Sequence, residues 1–165
     1  MVLGKFKMNF PVISCGFKKV PKTNKKLREY VLPRRERLNL HRKALQAQRR
    51  DQSEVCGILI ADRKPRLKLH YLENRSTRPG HFEMNSSDFA TARRSAQLLG
   101  GQLVGTFHSH PVSEAVPSRS DLNRAKLNSL LLIYDVCAHR VRLWRVKKKG
   151  TGRTCEEVFI SSTPC

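Results

Sequence analysis

Two apolar runs dominate the chain: Val55-Cys56-Gly57-Ile58-Leu59-Ile60 and Leu130-Leu131-Leu132-Ile133-Tyr134. Each is uninterrupted by charge and too short for a helix, the pattern of a strand buried on both faces. Val141-Arg142-Leu143-Trp144-Arg145-Val146 alternates instead and predicts a half-exposed strand. Further strands are predicted at 66–73, at 102–107 and, as a short one, at 81–84. Leu38, Leu40 and Leu45, with Arg and Gln between them, predict a helix over 34–50. Asn85-Ser86-Ser87 offers an N-cap for a helix over 87–99, which Gly100-Gly101 ends, and another helical run opens at Asp121 and covers 121–127. Strands interleaved with helices predict an α/β layer fold without internal repeats.

The chemistry concentrates in Gly105 to Asp121, which reads GTFHSHPVSEAVPSRSD. His108 and His110 stand two apart where the 102–107 strand ends, so alternation along a strand sends both imidazoles to one face. Asp121 follows a loop that holds Pro111 and Pro117 and could swing back as a third ligand. Three protein ligands with the fourth position left for water is the pattern of a catalytic zinc, Zn2+, rather than a structural one. Such a metal does not by itself carry the proton to a leaving amine, so a carboxylate is needed nearby. Glu54, at the mouth of the first apolar strand, is the candidate base, and Ser118 is a candidate donor to an oxyanion.

Glu54-Val55-Cys56-Gly57-Ile58-Leu59, then His108-Ser109-His110-Pro111, then Pro117-Ser118 and Asp121 together resemble the JAMM signature of the MPN-plus zinc metallopeptidases. At about 5% per position, a chance match of the six fixed residues from His108 to Asp121 occurs on the order of once in 10⁸ starting positions. The resemblance covers 34–146. It implies a curved mixed β-sheet flanked by helices, the deaminase-like MPN architecture, with metal ligands His108, His110 and Asp121 and catalytic residues Glu54 and Ser118. Compactness is similar to the prokaryotic branch, which implies cleavage after the C-terminal Gly-Gly of a ubiquitin-like or sulfur-carrier protein. Two other readings stay open: a catalytically silent MPN module that scaffolds a complex, and a nucleic-acid-associated protein of RadC type. RadC-like sequences tend to read HNHPSG, whereas this chain reads His108-Ser109-His110-Pro111-Val112-Ser113, which leans to the peptidase.

Composition narrows the picture further. The 165 residues suit one domain, and no run approaches the roughly 20 apolar residues of a membrane span. Five cysteines, odd in number and without a CxxC pair, argue against a disulfide framework and for a reducing cytoplasm. Val12-Ile13-Ser14-Cys15 resembles a lipoprotein box, but Lys5, Lys7, Asn9 and Pro11 break the apolar stretch before it. The net charge is +20, and residues 1–50 hold +13 of it, from 15 Lys and Arg against 2 acids. Three units are therefore expected: a basic, disordered leader at 1–33, the catalytic domain at 34–146, and a C-terminal extension at 147–165 that could add a strand. The leader could touch nucleic acid, although it lacks aromatic interleaving.

Several residues carry weaker alternatives. Cys56, inside an apolar strand, reads as a small core residue rather than a nucleophile. Glu114 is the competitor to Glu54 as base. Asn74 and Ser109 are candidates to line the groove, and His81 is a histidine to watch there. His41, His70 and His139 read as surface or capping residues.

Overall fold

A computed structural model describes residues 30–62 and 65–161. Eight strands and three helices follow in the order β1 (Tyr30–Val31), α1 (Arg34–Asp51), β2 (Cys56–Ala61), β3 (Leu67–Leu72), α2 (Ser86–Leu98), β4 (Gln102–His110), α3 (Arg119–Arg124), β5 (Leu130–Asp135), β6 (Arg140–Lys149), β7 (Gly152–Val158) and β8 (Ile160–Ser161). Six of the strands form one sheet in the order β3-β2-β4-β5-β6-β7. Only β4 and β5 run parallel in it; the other neighbours are antiparallel, so the sheet is mixed as expected.

The two apolar runs become β2 and β5, interior strands of the sheet. Every residue of β5 is buried, because both faces of the sheet are covered there. Leu130, Leu132 and Tyr134 join Leu40 and Ala44 of α1 in one core cluster, while Leu131 and Ile133 join Trp144, Val146 and Ala115 in a second. Helix α1 turns Leu40, Ala44 and Ala47 inward, the i, i+4, i+7 spacing of a helix lying on a sheet. Where β4 begins to pair with β5, a Cβ on Gly105 would overlap the Leu130 carbonyl oxygen, so only glycine admits this approach.

The structure departs from expectation in three places. Residues 81–84 form no strand; the Asn74 side chain instead donates to the His81 carbonyl at 3.0 Å and accepts from the Glu83 N–H at 3.0 Å. Those bonds satisfy backbone groups that a ladder would otherwise need. Tyr30 and Val31 pair in parallel with β8, and Leu32 is fully buried, so these residues of the segment expected to be disordered are part of the fold. Helix α3 starts at Arg119 rather than at Asp121, because Ser118 caps it two residues earlier. Within the C-terminal extension, where a strand could be added, β6 runs on to Lys149 and, through a turn with Gly150 at φ +57°, pairs with β7. Residues 1–29, with the basic leader and its nucleic-acid expectation, lie outside the described residues. Among the described residues no helix is long and apolar enough to cross a membrane.

Candidate metal centre

Alternation along β4 divides its last three residues between the two faces of the sheet. Ser109 turns toward the α1 side, where its hydroxyl oxygen accepts from the Val55 N–H at 3.0 Å; it holds the entry of β2 rather than lining a groove. His108 and His110 turn the other way, and their Nε2 atoms lie 3.1 Å apart. Asp121, delivered by the first turn of α3, brings Oδ2 to 3.5 Å from His108 Nε2 and 3.8 Å from His110 Nε2. All three residues are buried, and among the described residues they are the only His, Cys, Asp or Glu trio whose ligand atoms lie within 4.8 Å of one another. Metal bonds of about 2.0–2.2 Å in a tetrahedron would place donor atoms roughly 3.4 Å apart. The observed spacings straddle that value, and two imidazoles with one carboxylate are a zinc donor set.

Protonation is arranged accordingly. His110 donates from Nδ1 to the Glu114 carbonyl at 2.6 Å, which leaves its Nε2 lone pair facing the centre. Burial favours the neutral form of His110, but Asp121 and the Glu114 carbonyl outweigh it and raise its pKa. Burial lowers His108, whose ring also stacks on Phe82 with centroids 4.6 Å apart. Burial would raise Asp121, but hydrogen bonds from His108, His110 and Ser118 hold its carboxyl well below the usual range. The lowered His108 beside a firmly ionised Asp121 is the state a metal requires, whereas His110, whose pKa is raised, must give up its Nε2 proton for a metal to bind.

Glu54 sits at the edge of this group. Burial pushes its carboxyl up to about 7; the neighbouring Asp121 adds to the rise and His110 offsets part of it. Its carbonyl accepts from Asn74 Nδ2 at 2.9 Å, so Asn74 locks the Glu54 backbone while shaping the 81–83 segment. Ser118 donates from Oγ to Asp121 Oδ2 at 2.7 Å and accepts from the Asp121 N–H at 3.1 Å, so its hydroxyl proton is already taken by the carboxylate. The Glu114 side chain is exposed, and its carbonyl serves His110. Burial pushes the Cys56 thiol up to about 12, which fits a core residue and not a nucleophile. His70 and His81 are exposed, whereas His41 and His139 meet each other on the opposite face, an encounter their sequence positions did not announce. Sequence reasoning also missed Phe82 against His108 and the Trp144 Nε1–H bond to the Ala115 carbonyl at 2.9 Å, which secures the loop beyond His110. A cleft of about 980 Å³ leads to Asp121 between Phe82, Phe89, Val104 and Arg124.

Residues 38–147 match the family described as prokaryotic homologs of the JAB domain. The chain belongs to this family. As a JAB-domain protein it is similar to the desampylase of Haloferax volcanii, 30% identical over 112 residues, covering 66% of this chain and 78% of the relative. It is also similar to the desampylase of Pyrococcus furiosus, 36% identical over 73 residues, or 44% of this chain; that match spans about half, 52%, of the relative's length. Among solved structures, a Desulfitobacterium hafniense protein superposes with a TM-score of 0.68 at 25% identity, covering 81% of this chain and 92% of the other. A Salinibacter ruber protein gives 0.53 at 22% identity, covering 78% and 90%, and shares the JAB-domain fold.

Proposed function

We propose that the chain is a zinc-dependent peptidase or isopeptidase that cleaves after the C-terminal Gly-Gly of a ubiquitin-like or sulfur-carrier protein in the cytoplasm. The observation that carries this reading is the convergence of His108, His110 and Asp121 on one point beside Glu54, a buried carboxyl held near neutrality. Both curated relatives are desampylases, which supports a hydrolase of this kind.

His108, His110 and Asp121 would hold the zinc. When bound, zinc supplies Lewis acidity, acidifying water and polarising the scissile carbonyl. Glu54 takes the proton from the attacking water and passes it to the leaving amine, the task for which a carboxyl titrating near the working pH is suited. The Glu114 carbonyl fixes the His110 ring through Nδ1 and thereby its orientation toward the centre. Ser118 is the oxyanion donor; its proton now points to Asp121 and turns to the oxyanion as charge develops there. The catalytic unit is assigned to 34–146, supported by the short strand at Tyr30–Val31 and by β7.

Zinc analysis and turnover test the reading together. The purified protein should carry one tightly held zinc, and His108→Ala or Asp121→Ala should lose it. Glu54→Gln should keep the zinc and the fold while turnover of a Gly-Gly-linked substrate falls on the order of 10²-fold or more. Full zinc occupancy in both ligand variants would refute the ligand assignment, and near-normal turnover in Glu54→Gln would refute the base.

A further inference from the structure

The sheet face opposite the metal centre holds a second convergence of donor atoms. In parallel register Ser109 pairs with Tyr134, so Tyr134 shares the face of Ser109, away from His108 and His110. There His41 of α1 brings Nδ1 to 2.6 Å from the Tyr134 hydroxyl. His139, from the turn between β5 and β6, brings its own Nδ1 to 3.3 Å from the same hydroxyl and 3.3 Å from His41 Nδ1. Three donors from three segments, 93 and 98 residues apart in sequence for the pairs with His41, therefore form one triangle.

Hydrogen bonding can occupy two of the three edges at once, the phenol accepting from one Nδ1 and donating to the other. The phenol has one proton, and two imidazole Nδ1 atoms 3.3 Å apart cannot both carry a proton toward each other. The triangle's edges of 2.6, 3.3 and 3.3 Å resemble the 3.1, 3.5 and 3.8 Å edges at the first centre. The two 3.3 Å edges lie close to the roughly 3.4 Å that tetrahedral ligation implies, and the 2.6 Å edge would open by roughly 0.8 Å as an ion replaced its hydrogen bond. His139 reaches the triangle from a left-handed backbone, φ +52°, a conformation that costs a non-glycine residue about 1 kcal/mol or more. The turn is held in that shape by Asp135, which accepts from the Ala138 N–H at 2.9 Å. Tyr134 is buried, His41 half-buried and His139 exposed, so an ion could enter from solvent and keep a fourth position for water. Burial, aided by Asp135, raises the Tyr134 phenol, so ligation as phenolate would release one proton to solvent.

We propose that His41, His139 and the Tyr134 hydroxyl form a second, solvent-accessible site for a borderline divalent cation such as zinc, on the sheet face opposite His108 and His110. Imidazole suits zinc, copper and nickel, and a phenol that must give up its proton, in place of a carboxylate, makes this the weaker of the two sites. An ion here would tie α1 to the β5–β6 turn. The same helix and turn already meet at the Pro111 carbonyl, which accepts from Gln48 Nε2 and, at 3.3 Å, from the Cys137 thiol. The second site would thus brace, from behind, the residue that follows His110.

The full chain, stripped of metal by chelation, is titrated with Zn2+ and followed by native mass spectrometry and by imidazole 15N NMR. Two ions should bind, the second shifting the His41 and His139 Nδ1 resonances. His139→Asn keeps a residue that tolerates the left-handed turn while removing the imidazole, and it should weaken the second ion at least about tenfold while leaving the first untouched. His41→Ala should do the same, and His108→Ala should lose the first ion and retain the second. Zinc uptake unchanged by both His41→Ala and His139→Asn, or wild-type Nδ1 resonances that ignore the second equivalent, would reduce the cluster to a hydrogen-bonded triad and overturn the proposal. Should His41→Ala fail to fold, His139→Asn and the wild-type resonances decide between the same two outcomes.

Discussion

Glu54→Gln should make the metal-free protein more stable, and increasingly so as pH rises. The carboxyl is buried, and its folded-state pKa stands at about 7 against an ordinary value of 4.5. A carboxyl with a raised folded pKa favours folding only while protonated; above about 4.5 the unfolded chain releases the proton more readily, and the advantage is lost progressively up to about pH 7. Two and a half pH units at about 1.4 kcal/mol each place the cost of ionised Glu54 at about 3 kcal/mol at pH 8. At pH 5 the same relation leaves less than about 1 kcal/mol, because folded Glu54 is still protonated there. Glutamine fills nearly the same volume and never ionises. Denaturant unfolding of the chelated proteins at pH 5 and pH 8 should therefore show the variant ahead by up to about 3 kcal/mol at pH 8 and little different at pH 5. A variant equal to wild type at pH 8, or a gap that does not change with pH, would refute the claim that burial raises this group. Loss of turnover together with gained stability would mark Glu54 as a residue kept for chemistry at a cost to folding.

Other expectations can be checked directly. Gly105→Ala forces a methyl onto the Leu130 carbonyl between β4 and β5 and should destabilise by about 3 kcal/mol or more, read from denaturant unfolding; a loss under about 1 kcal/mol would show that the strands can separate there. A chain begun at Arg34 lacks β1 and the fully buried Leu32 and should lose about 2–3 kcal/mol relative to one begun near Lys25, a gap that thermal melts would expose. For a ubiquitin-like substrate, replacing the terminal Gly by Val should abolish cleavage if the proposed site clamps a side-chain-free tail by its backbone, and cleavage that ignores the change would defeat that view. Chelators should stop the reaction while thiol and serine reagents leave it intact; activity that survives thorough chelation would overturn the metal reading.

Local patterns were legible where local physics decides. Alternation on a strand was enough to place His108 and His110 together, whereas the cap that Ser118 gives α3 was not foreseen, because the same hydroxyl also suits an oxyanion. The uncharged runs of β2 and β5 announced their burial on both faces. What stayed hidden depends on distant partners. Residues 81–84 carry a strand-like composition, yet the Asn74 amide, the Arg75 N–H and the Arg124 side chain supply their hydrogen bonds. Tyr30–Val31 becomes a strand only because Ile160–Ser161 arrives beside it from the other end of the chain. The meeting of His41, Tyr134 and His139 has no local spacing at all, since it arises from a helix crossing a sheet.

The capping box of α3 makes site and secondary structure a single mutational unit. Asp121 Oδ2 accepts from the Ser118 N–H at 2.8 Å while facing both imidazoles, and the Ser118 hydroxyl binds the same oxygen. Truncating Asp121 to alanine therefore removes a proposed metal donor and unpins the helix in one stroke, so lost activity in that variant would have two causes. Asp121→Asn separates them: the amide oxygen can still accept from Ser118, while the negative charge that pairs with the histidines is gone. A lineage that abandons catalysis through position 121 would find asparagine the least disruptive exit, and Ser118 could persist there as a helix cap with no chemistry left to assist.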